Sequence, residues 1–273
     1  RLDGYYARAE TGEIINVINK VRPVVEQYGS AQQNAAFLSG QARMYFRRDR
    51  YIVTDELLDV SRKLLDISMV IDDKQRLSDA YFEFGFSSLW YGDLSRAEDL
   101  LKQSLQLAKE CSNLYNQTLC NTYLAILYRQ QRDFQNTRAF IDKSITTSTD
   151  RNMLNYLATA KGNQSWMALH YGRLDESQQL GLEALDLWSQ VPFVYPFQWT
   201  ALWPLIAVAV EQGNPDQAVD YARALLAEDQ QCLPDQVSSE LLAVIEAWKM
   251  NNHVEMINYF KKALSLAGKY RFL

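Results

Sequence analysis

The stretch that decides the fold is YFEFGFSSLWYGDLSRAEDLLKQSLQLA, residues 81–108. Its second half carries apolar or small residues three or four positions apart: Leu94, Ala97, Leu101, Leu105 and Ala108. That spacing is typical of an amphipathic helix with one apolar stripe. The first half is apolar throughout, and Gly92-Asp93 between the halves is a turn signal. The stretch therefore predicts two helices joined by a tight turn.

The same turn signature returns along the chain at nearly constant spacing. Turn anchors stand at positions 12, 49, 92, 132, 172, 213 and 251, which are 37, 43, 40, 40, 41 and 38 residues apart. Small residues recur seven positions before an anchor (Ala42, Gly85, Ala125, Ser165) and five after it (Thr54, Ala97, Thr137, Ser177, Ala218). Small side chains let paired helices approach closely, and the apolar face left over must be covered by the next pair. The sequence predicts an all-α chain of stacked antiparallel helix pairs.

This arrangement resembles the tetratricopeptide repeat (TPR). The best-matching residues are Tyr81, Phe84, Gly85, Gly92, Asp93, Leu94, Ala97, Leu101 and Ser104. The resemblance implies a right-handed α-solenoid over residues 1–273, a single domain of about six and a half helix pairs. The period averages about 40 residues where the standard repeat has about 34. Long-period repeats of this kind are similar to the helical sensor segments of bacterial signal-transduction ATPases, nucleotide cyclases and the maltotriose-responsive transcription activator. HEAT or armadillo repeats are the second interpretation, because they share the period but lack the Gly-Asp turn.

Composition and net charge make several classes of function improbable for this chain. The chain has 273 residues, 48% of them hydrophobic, and a net charge of -5. It can bury a large core, and it lacks the positive field that attracts nucleic acid. No apolar run reaches the roughly 20 residues that cross a bilayer. Three cysteines at no metal-ligand spacing favour reduced thiols and a cytoplasmic location. Because the chain opens at Arg1 without Met, we expect it to be a piece of a larger multidomain protein.

The sequence carries no catalytic or cofactor motif, and we expect neither enzymatic activity nor a cofactor. It lacks the GxGxxG, GxxxxGK[ST], HExxH, GxSxG and paired CxxC patterns. His170 and His253 are the only histidines. His253 stands where other repeats have an inter-helix packing residue. Asp72-Asp73 precedes a helix, where acidic residues suit the helix dipole.

In TPR proteins the first helix of each pair lines a concave groove, and the resemblance implies which positions face it. Transferred one by one, these positions include Ser39, Arg43, Arg47, Asp79, Phe82, Phe86, Trp90, Arg129, Trp166, His170 and Trp203. We predict that a partner binds through Arg43, Arg47, Phe82, Phe86, Trp90, Trp166, His170 and Trp203. The groove so defined is aromatic and lightly charged.

Two features of this lining have a functional and a structural interpretation. Arg43 and Arg47 lie one helical turn apart and could clamp a carboxylate or phosphate, or they could be an exposed face paired with acids. Residues 191–204 contain three prolines and five aromatic residues. Pro192 and Pro196 predict an extended connection, and Pro204 a kinked helix. This segment either forms a pocket near Trp166 and Trp203 or fills the interior.

Two functions remain open. The first is a scaffold that binds a protein or peptide in its groove. The second is a sensor in which a small sugar-like or aromatic molecule controls an attached ATPase, cyclase or transcription-regulator domain. Neither function involves direct contact with nucleic acid or membrane, and the sequence leaves the oligomeric state open.

Overall fold

The structure is a computed structural model that describes residues 2–273, without the side chain of Asp3. The described chain is helical and contains no strand. Its helices are α1 (Leu2–Ala7), α2 (Thr11–Tyr28), α3 (Ala31–Arg48), α4 (Asp55–Met69), α5 (Lys74–Tyr91), α6 (Leu94–Glu110), α7 (Leu114–Gln131), α8 (Phe134–Asp150), α9 (Leu154–His170), α10 (Leu174–Ser189), α11 (Trp199–Glu211), α12 (Pro215–Leu225), α13 (Asp235–Lys249) and α14 (His253–Lys269). Neighbours in sequence pack together, as in α5 with α6 and α9 with α10. The predicted all-α class is confirmed.

Five of the seven predicted turn anchors share one backbone conformation. Gly92, Gly172 and Gly213 have positive φ angles of 95°, 71° and 70°. Glycine adopts this left-handed conformation without a steric penalty, so it ends a helix and starts a turn. Arg132 and Asn251 take the same conformation in their repeats, with φ of 58° and 55°. These five anchors therefore mark the residue at which the chain leaves the first helix of each pair. At the second anchor Asp49 has a φ of -98°, and the left-handed residues are the next two, Arg50 and Tyr51.

The first anchor is displaced. Gly12 is the second residue of α2, and the turn between α1 and α2 lies at residues 8–10. The left-handed residue of this turn is Ala9, with φ of 55°. Alanine is not a turn signal, so the sequence pattern favoured the nearby glycine instead.

Capping groups fix where several helices begin. Asp73 and Asp93 each accept a hydrogen bond from the backbone N–H three residues on, at 3.0 and 3.1 Å. Such N-cap bonds satisfy a donor that the helix itself leaves unpaired. Helix α12 begins at Pro215 after Asn214 as predicted, although the Asn214 side chain makes no capping bond. Thr54, predicted as a small packing residue, is instead the exposed N-cap of α4.

Close approach of paired helices is confirmed at α5 and α6. A Cβ placed on Gly85 would lie 2.9 Å from Leu101 Cγ and 3.1 Å from the Leu101 backbone nitrogen. Ala97 on α6 is fully buried, and Ala125 on α7 is 1% exposed. These positions have no room for a larger side chain, which is why the sequence repeats small residues there.

Serine pairs also join the helices of a pair. Ser78 and Ser104 each donate a hydroxyl hydrogen bond to the other's backbone carbonyl, at 2.9 and 2.8 Å. Ser165 and Ser177 make the same reciprocal bonds at 2.7 and 2.9 Å. All four side chains are buried, so for each hydroxyl a backbone carbonyl takes the place of the water that it bonds in the unfolded chain. We call each such pair a serine clasp.

The chain divides into two compact units, residues 1–127 and residues 128–273. The core of unit 1 includes Leu64, Leu65, Phe84 and Leu100. The core of unit 2 contains the indoles of Trp166, Trp199 and Trp203 among its largest fully buried side chains. We describe each unit by itself, and a single domain over residues 1–273 stays a prediction. In the part of the chain described here, no helix is long and apolar enough to cross a membrane.

Candidate functional site

The first helices of unit 1 are joined by a cluster of aromatic side chains, the unit 1 aromatic cluster. Its members are Phe46, Tyr51, Phe82, Phe86, Trp90 and Tyr123. Phe86 is central, with ring centroids 5.0 Å from Phe46 and 4.7 Å from Tyr123 in edge-to-face geometry. Such pairs stabilise the packing by about 0.5 to 1.5 kcal/mol beyond the effect of the apolar area that the rings bury. The cluster thus packs α3, α5 and α7 side by side.

The members of this cluster differ in exposure. Phe86 is 7% exposed, so it supports the packing and offers little surface to a partner. Phe82 and Trp90 are partly exposed and flank Phe86 on the same stripe of α5. Their ring centroids lie 5.7 and 5.8 Å from that of Phe86. Both rings are therefore held in place from one side and accessible from the other, which suits a binding surface.

A polar cluster lies next to these rings on α3 and α5. Ser39 Oγ donates a hydrogen bond to Glu83 Oε1 across the two helices. Burial raises the pKa of Glu83 to about 7 and that of Asp79 to about 6, and Arg43 lowers both pKa values by less than burial raises them. Asp79 is nevertheless exposed to solvent. The polar cluster therefore joins α3 to α5 through Ser39 and Glu83, and solvent reaches it at Asp79.

The predicted arginine pair is not an open anion clamp. Arg47 is 9% exposed, and its Nε donates a 3.0 Å hydrogen bond to the Tyr6 carbonyl. Its guanidinium lies over the rings of Tyr6 and Tyr51, at 4.5 and 5.7 Å. Arg47 therefore holds α1 against α3, while Arg43 faces the carboxyls of the polar cluster. Both guanidinium groups lie over the Tyr6 ring, at 6.0 Å for Arg43 and 4.5 Å for Arg47, but only Arg43 also acts on the carboxyls of the polar cluster.

In unit 2 the predicted binding tryptophans lie in the interior. Trp166 is 1% exposed and Trp203 is fully buried. Trp166 stacks on Phe134, with centroids 5.1 Å apart and planes 10° apart. Helical spacing had placed both indoles on the inner face, but neighbouring side chains cover them. Their part in binding stays a prediction, and in this conformation they pack the core.

The proline-rich segment fills the interior next to them. Residues 191–198 are irregular, and α11 begins at Trp199 with Pro204 inside it, as predicted. Tyr195 and Phe197 are 6% and 2% exposed. The Tyr195 hydroxyl accepts a 2.6 Å hydrogen bond from Thr159 Oγ1, and its ring stacks on Trp188. The second of the two interpretations therefore holds: this segment packs the core.

A residue that sequence reasoning did not single out stands at the centre of unit 2. Arg129 is 2% exposed, and its guanidinium lies 5.1 and 5.0 Å from the rings of Trp166 and Trp199. It donates hydrogen bonds to three neutral acceptors, Asn163 Oδ1 (2.9 Å), the Thr200 carbonyl (2.9 Å) and the Phe272 carbonyl (2.6 Å). Burial lowers its pKa well below the usual value. The sequence offered two signals: the resemblance placed Arg129 in the groove, and Arg129 is the single charged residue of α7.

His170 lies at the edge of this network. Its Nδ1 is 3.0 Å from the Trp166 carbonyl oxygen, and its ring centroid is 4.4 Å from that of Trp166. Burial lowers its pKa, and the positive charges of Arg129 and Arg132 lower it further. His170 also lines a cleft of about 270 Å³ within unit 2. Of the predicted site residues in this unit, His170 is the one that reaches an open cleft.

The metal-ligating side chains of the described residues do not cluster, and one of the three cysteines is fully buried. Between residues 2 and 273, no group of three or more His, Cys, Asp or Glu side chains could hold a metal ion. The three cysteines are free, and burial raises the pKa of the Cys120 thiol to about 12. A thiol with so high a pKa is a weak nucleophile at neutral pH.

Comparison with known proteins bears on the fold. The chain matches no family model and no curated protein. It is similar to the solved structure of BtubC (BKLC) from P. vanneervenii, with a TM-score of 0.57 and 15% identity over 82% of this chain and 92% of that one. It is similar to the apo form of RapI, with a TM-score of 0.57 and 15% identity over 93% and 69%. It is also similar to the APC/C hetero-tetramer Cut9-Hcn1, with a TM-score of 0.68 and 12% identity over 98% of this chain and 45% of that one.

These are TPR-type folds. The chain has the fold of a TPR-like α-solenoid. At 12 to 15% identity the likeness concerns the fold alone. Function must therefore be argued from the chain's own side chains.

Proposed function

We propose that this chain is a non-catalytic scaffold that binds a protein or peptide partner on the first helices of unit 1. The observation that carries the proposal is the pair of partly exposed rings, Phe82 and Trp90, held by Phe86 beside the polar cluster. Anchors that are rigid and aromatic, with polar groups at their rim, are the usual centre of a binding surface. The fold adds support, because helix-pair repeats present such surfaces on their inner helices.

The polar cluster suggests what kind of segment binds. Arg43 lies beside the carboxyls of Asp79 and Glu83, and the raised pKa values of these carboxyls, about 6 and about 7, leave both of them partly protonated just below neutral pH. The surface therefore favours an apolar or aromatic side chain flanked by hydrogen-bonding groups, and it does not favour a strongly acidic or basic peptide. A role in a cytoplasmic bacterial signalling protein is part of this proposal and rests on the resemblance to sensor segments.

The alternative function is a small-molecule sensor that uses the Trp166 and Trp203 region. It requires unit 2 to open, because both indoles are buried. The scaffold function requires no such change in unit 1. We therefore place the scaffold first.

A displayed library of random peptides, panned against the full chain, tests the proposal. Enriched peptides are synthesised and their Kd values measured by fluorescence anisotropy. We expect Phe82→Ala and Trp90→Ala each to weaken binding about thirtyfold, which corresponds to about 2 kcal/mol for an anchor residue.

The matched control is Tyr28→Ala, which removes an aromatic ring that is 74% exposed at the end of α2. It should leave the Kd within about twofold. Circular dichroism of each variant confirms that the helices persist. Peptides that bind the Phe82→Ala and Trp90→Ala variants as tightly as the wild type would refute the proposal.

A further inference from the structure

A second cleft lies in unit 1, where residues of three successive helices, α2, α3 and α4, line it. Helix α3 packs against both α2 and α4. The volume of the cleft is about 430 Å³, within the roughly 300 to 1,000 Å³ that is usual for small-molecule pockets. Its lining residues stand between positions 22 and 67 of the chain, and none of them belongs to the peptide surface proposed above.

Part of the cleft is apolar. Phe37 on α3 and Val60 on α4 are buried side chains that border it, and Ile67 follows Val60 by two helical turns on the same stripe of α4. A ligand that covers these groups removes apolar surface from water, which favours binding. The cleft can therefore hold the apolar body of a small molecule.

The carboxylate of Glu56 is held at the cleft by a chain of hydrogen bonds. Gln41 Nε2 donates to the Tyr45 hydroxyl at 3.2 Å, and that hydroxyl donates to Glu56 Oε1. Burial raises the pKa of Tyr45, and the bond to Glu56 raises it further, so the phenol keeps its proton. Among the residues that the structure describes, no Lys or Arg forms an ion pair with Glu56, and the nearby Arg48 pairs with Asp49 at 2.7 Å.

Arg22 lines the same cleft from α2. Its guanidinium lies over the ring of Phe37, at 5.5 Å from the centroid. Its ion pair with Glu26 is a single contact of 3.5 Å, longer than the roughly 2.7 to 2.9 Å of a strong charge-assisted hydrogen bond. Its other donors remain available to a ligand, in the planar fork geometry that suits a carboxylate. The charges of Arg22 and Glu56 both act on the Tyr45 hydroxyl, so the two groups lie near one point of the cleft.

The other two charged residues of α4 that border the cleft already have partners. Lys63 and Asp59 pair with each other at 2.7 Å, and Asp59 also pairs with Arg62 at 2.6 Å. The cleft therefore offers a ligand one carboxylate without a counter-charge and one loosely paired guanidinium, beside an apolar surface.

We propose that this cleft binds an apolar α-amino acid in its zwitterionic form. Arg22 binds the carboxylate of the amino acid, and Glu56 binds its ammonium group. Phe37, Val60 and Ile67 contact its apolar side chain. A ligand that carries only one of the two charges leaves the other protein group unpaired, which weakens its binding. The proposal does not depend on the peptide surface of unit 1.

Isothermal titration calorimetry of the full chain with L-leucine and L-phenylalanine tests the proposal. Glycine is the control ligand without an apolar side chain. Isocaproate and hydrocinnamate lack the ammonium group, and isoamylamine and phenethylamine lack the carboxylate. We expect saturable binding of at least one of the two amino acids, and binding of each matching control ligand that is weaker by about tenfold or more.

Two variants separate the roles of the charged groups. In Arg22→Gln the preference for the amino acid over its amine analogue should disappear, and in Glu56→Gln the preference over its acid analogue should disappear. Each variant should bind the amino acid more weakly than the wild type by about tenfold or more. Arg223→Gln is the matched control, because Arg223 also lies over an aromatic ring, that of Trp248, and pairs with an acid of its own helix, Asp220. It should leave the Kd unchanged, and circular dichroism of each variant shows that the helices persist.

Three outcomes overturn the proposal. The first is that neither amino acid binds saturably to the wild type. The second is that glycine, an acid analogue or an amine analogue binds as tightly as the amino acid. The third is that Arg22→Gln or Glu56→Gln binds the amino acid with the Kd of the wild type.

Discussion

Replacement of Gly162 by alanine should destabilise unit 2, although alanine is the better helix former. Gly162 lies in α9, and a Cβ there would meet backbone atoms of α11 at 3.1 Å, namely the Thr200 carbonyl carbon and the Ala201 nitrogen. Thr200 Oγ1 would lie at 2.8 Å. Ordinary van der Waals contact begins at 3.4 Å. Backbone atoms cannot rotate away, so α9 and α11 would have to separate.

The magnitude follows from two opposing effects. Alanine in place of glycine gains about 1 kcal/mol of helix propensity. Overpacking against a rigid neighbour costs about 1 to 3 kcal/mol, and contact with backbone belongs at the upper end. We expect a net loss of about 1 to 2 kcal/mol in the free energy of unfolding, which lowers the Tm by about 2 to 8 °C.

The assay is thermal unfolding followed by circular dichroism at 222 nm, with Gly268→Ala as the matched control in the same unit. A Cβ on Gly268 would meet only the Arg132 Nη2 atom, at 3.9 Å. Gly268→Ala should therefore raise the free energy of unfolding, by about 0.4 to 1 kcal/mol. If Gly162→Ala raised the Tm as much as Gly268→Ala does, the close approach of α9 and α11 would be refuted.

Two further predictions concern unit 1. Ala97→Phe should cost about 1 to 3 kcal/mol, because Ala97 is fully buried between α5 and α6, and an unchanged urea midpoint would count against that packing. Glu83→Gln should remove the pH dependence of stability that Glu83 causes. The pKa of Glu83 is raised to about 7 in the folded chain, so between about pH 4.5 and pH 7 the unfolded chain releases this proton and the folded chain keeps it. The free energy of unfolding of the wild type therefore falls as the pH rises through this range. At pH 8 we expect urea unfolding to show Glu83→Gln more stable than the wild type by about 1 to 3 kcal/mol, since one pKa unit corresponds to about 1.36 kcal/mol. The control Glu228→Gln changes an exposed side chain and should change the free energy of unfolding little. If the difference in the free energy of unfolding between Glu83→Gln and the wild type were the same at about pH 4.5 and at about pH 8, the burial of this carboxyl would be contradicted.

Sequence predicted the repeat architecture well because its signals are local. Glycine takes the left-handed conformation at the end of a helix without a steric penalty, so the turns at Gly92, Gly172 and Gly213 could be predicted from the sequence. The turn at Ala9 carried no such signal, and the nearby Gly12 was chosen in its place. The close approach at Gly85 could be predicted for a related reason, because Leu101 can come this near only to a residue without a side chain.

The candidate site was less predictable because exposure depends on contacts between distant residues. Helical spacing put Phe82 and Trp166 on equivalent faces, yet Phe82 is partly exposed and Trp166 is covered by Phe134. The partners of Arg129 are similarly remote, at Thr200 and Phe272. No pattern within a single repeat contains that information.

The serine clasps limit the ways in which this chain can misfold. Repeats with similar apolar stripes can slide along one another by a turn at little loss of buried area, which is a hazard of repeat proteins. A clasp such as Ser165 with Ser177 forms only when each hydroxyl meets the opposite carbonyl, at 2.7 and 2.9 Å. A slipped helix pair would lose both hydrogen bonds of the clasp, about 0.5 to 1.5 kcal/mol for each, because each hydroxyl could then bond only a carbonyl of its own helix. Each clasp therefore makes only one axial register of its helix pair favourable.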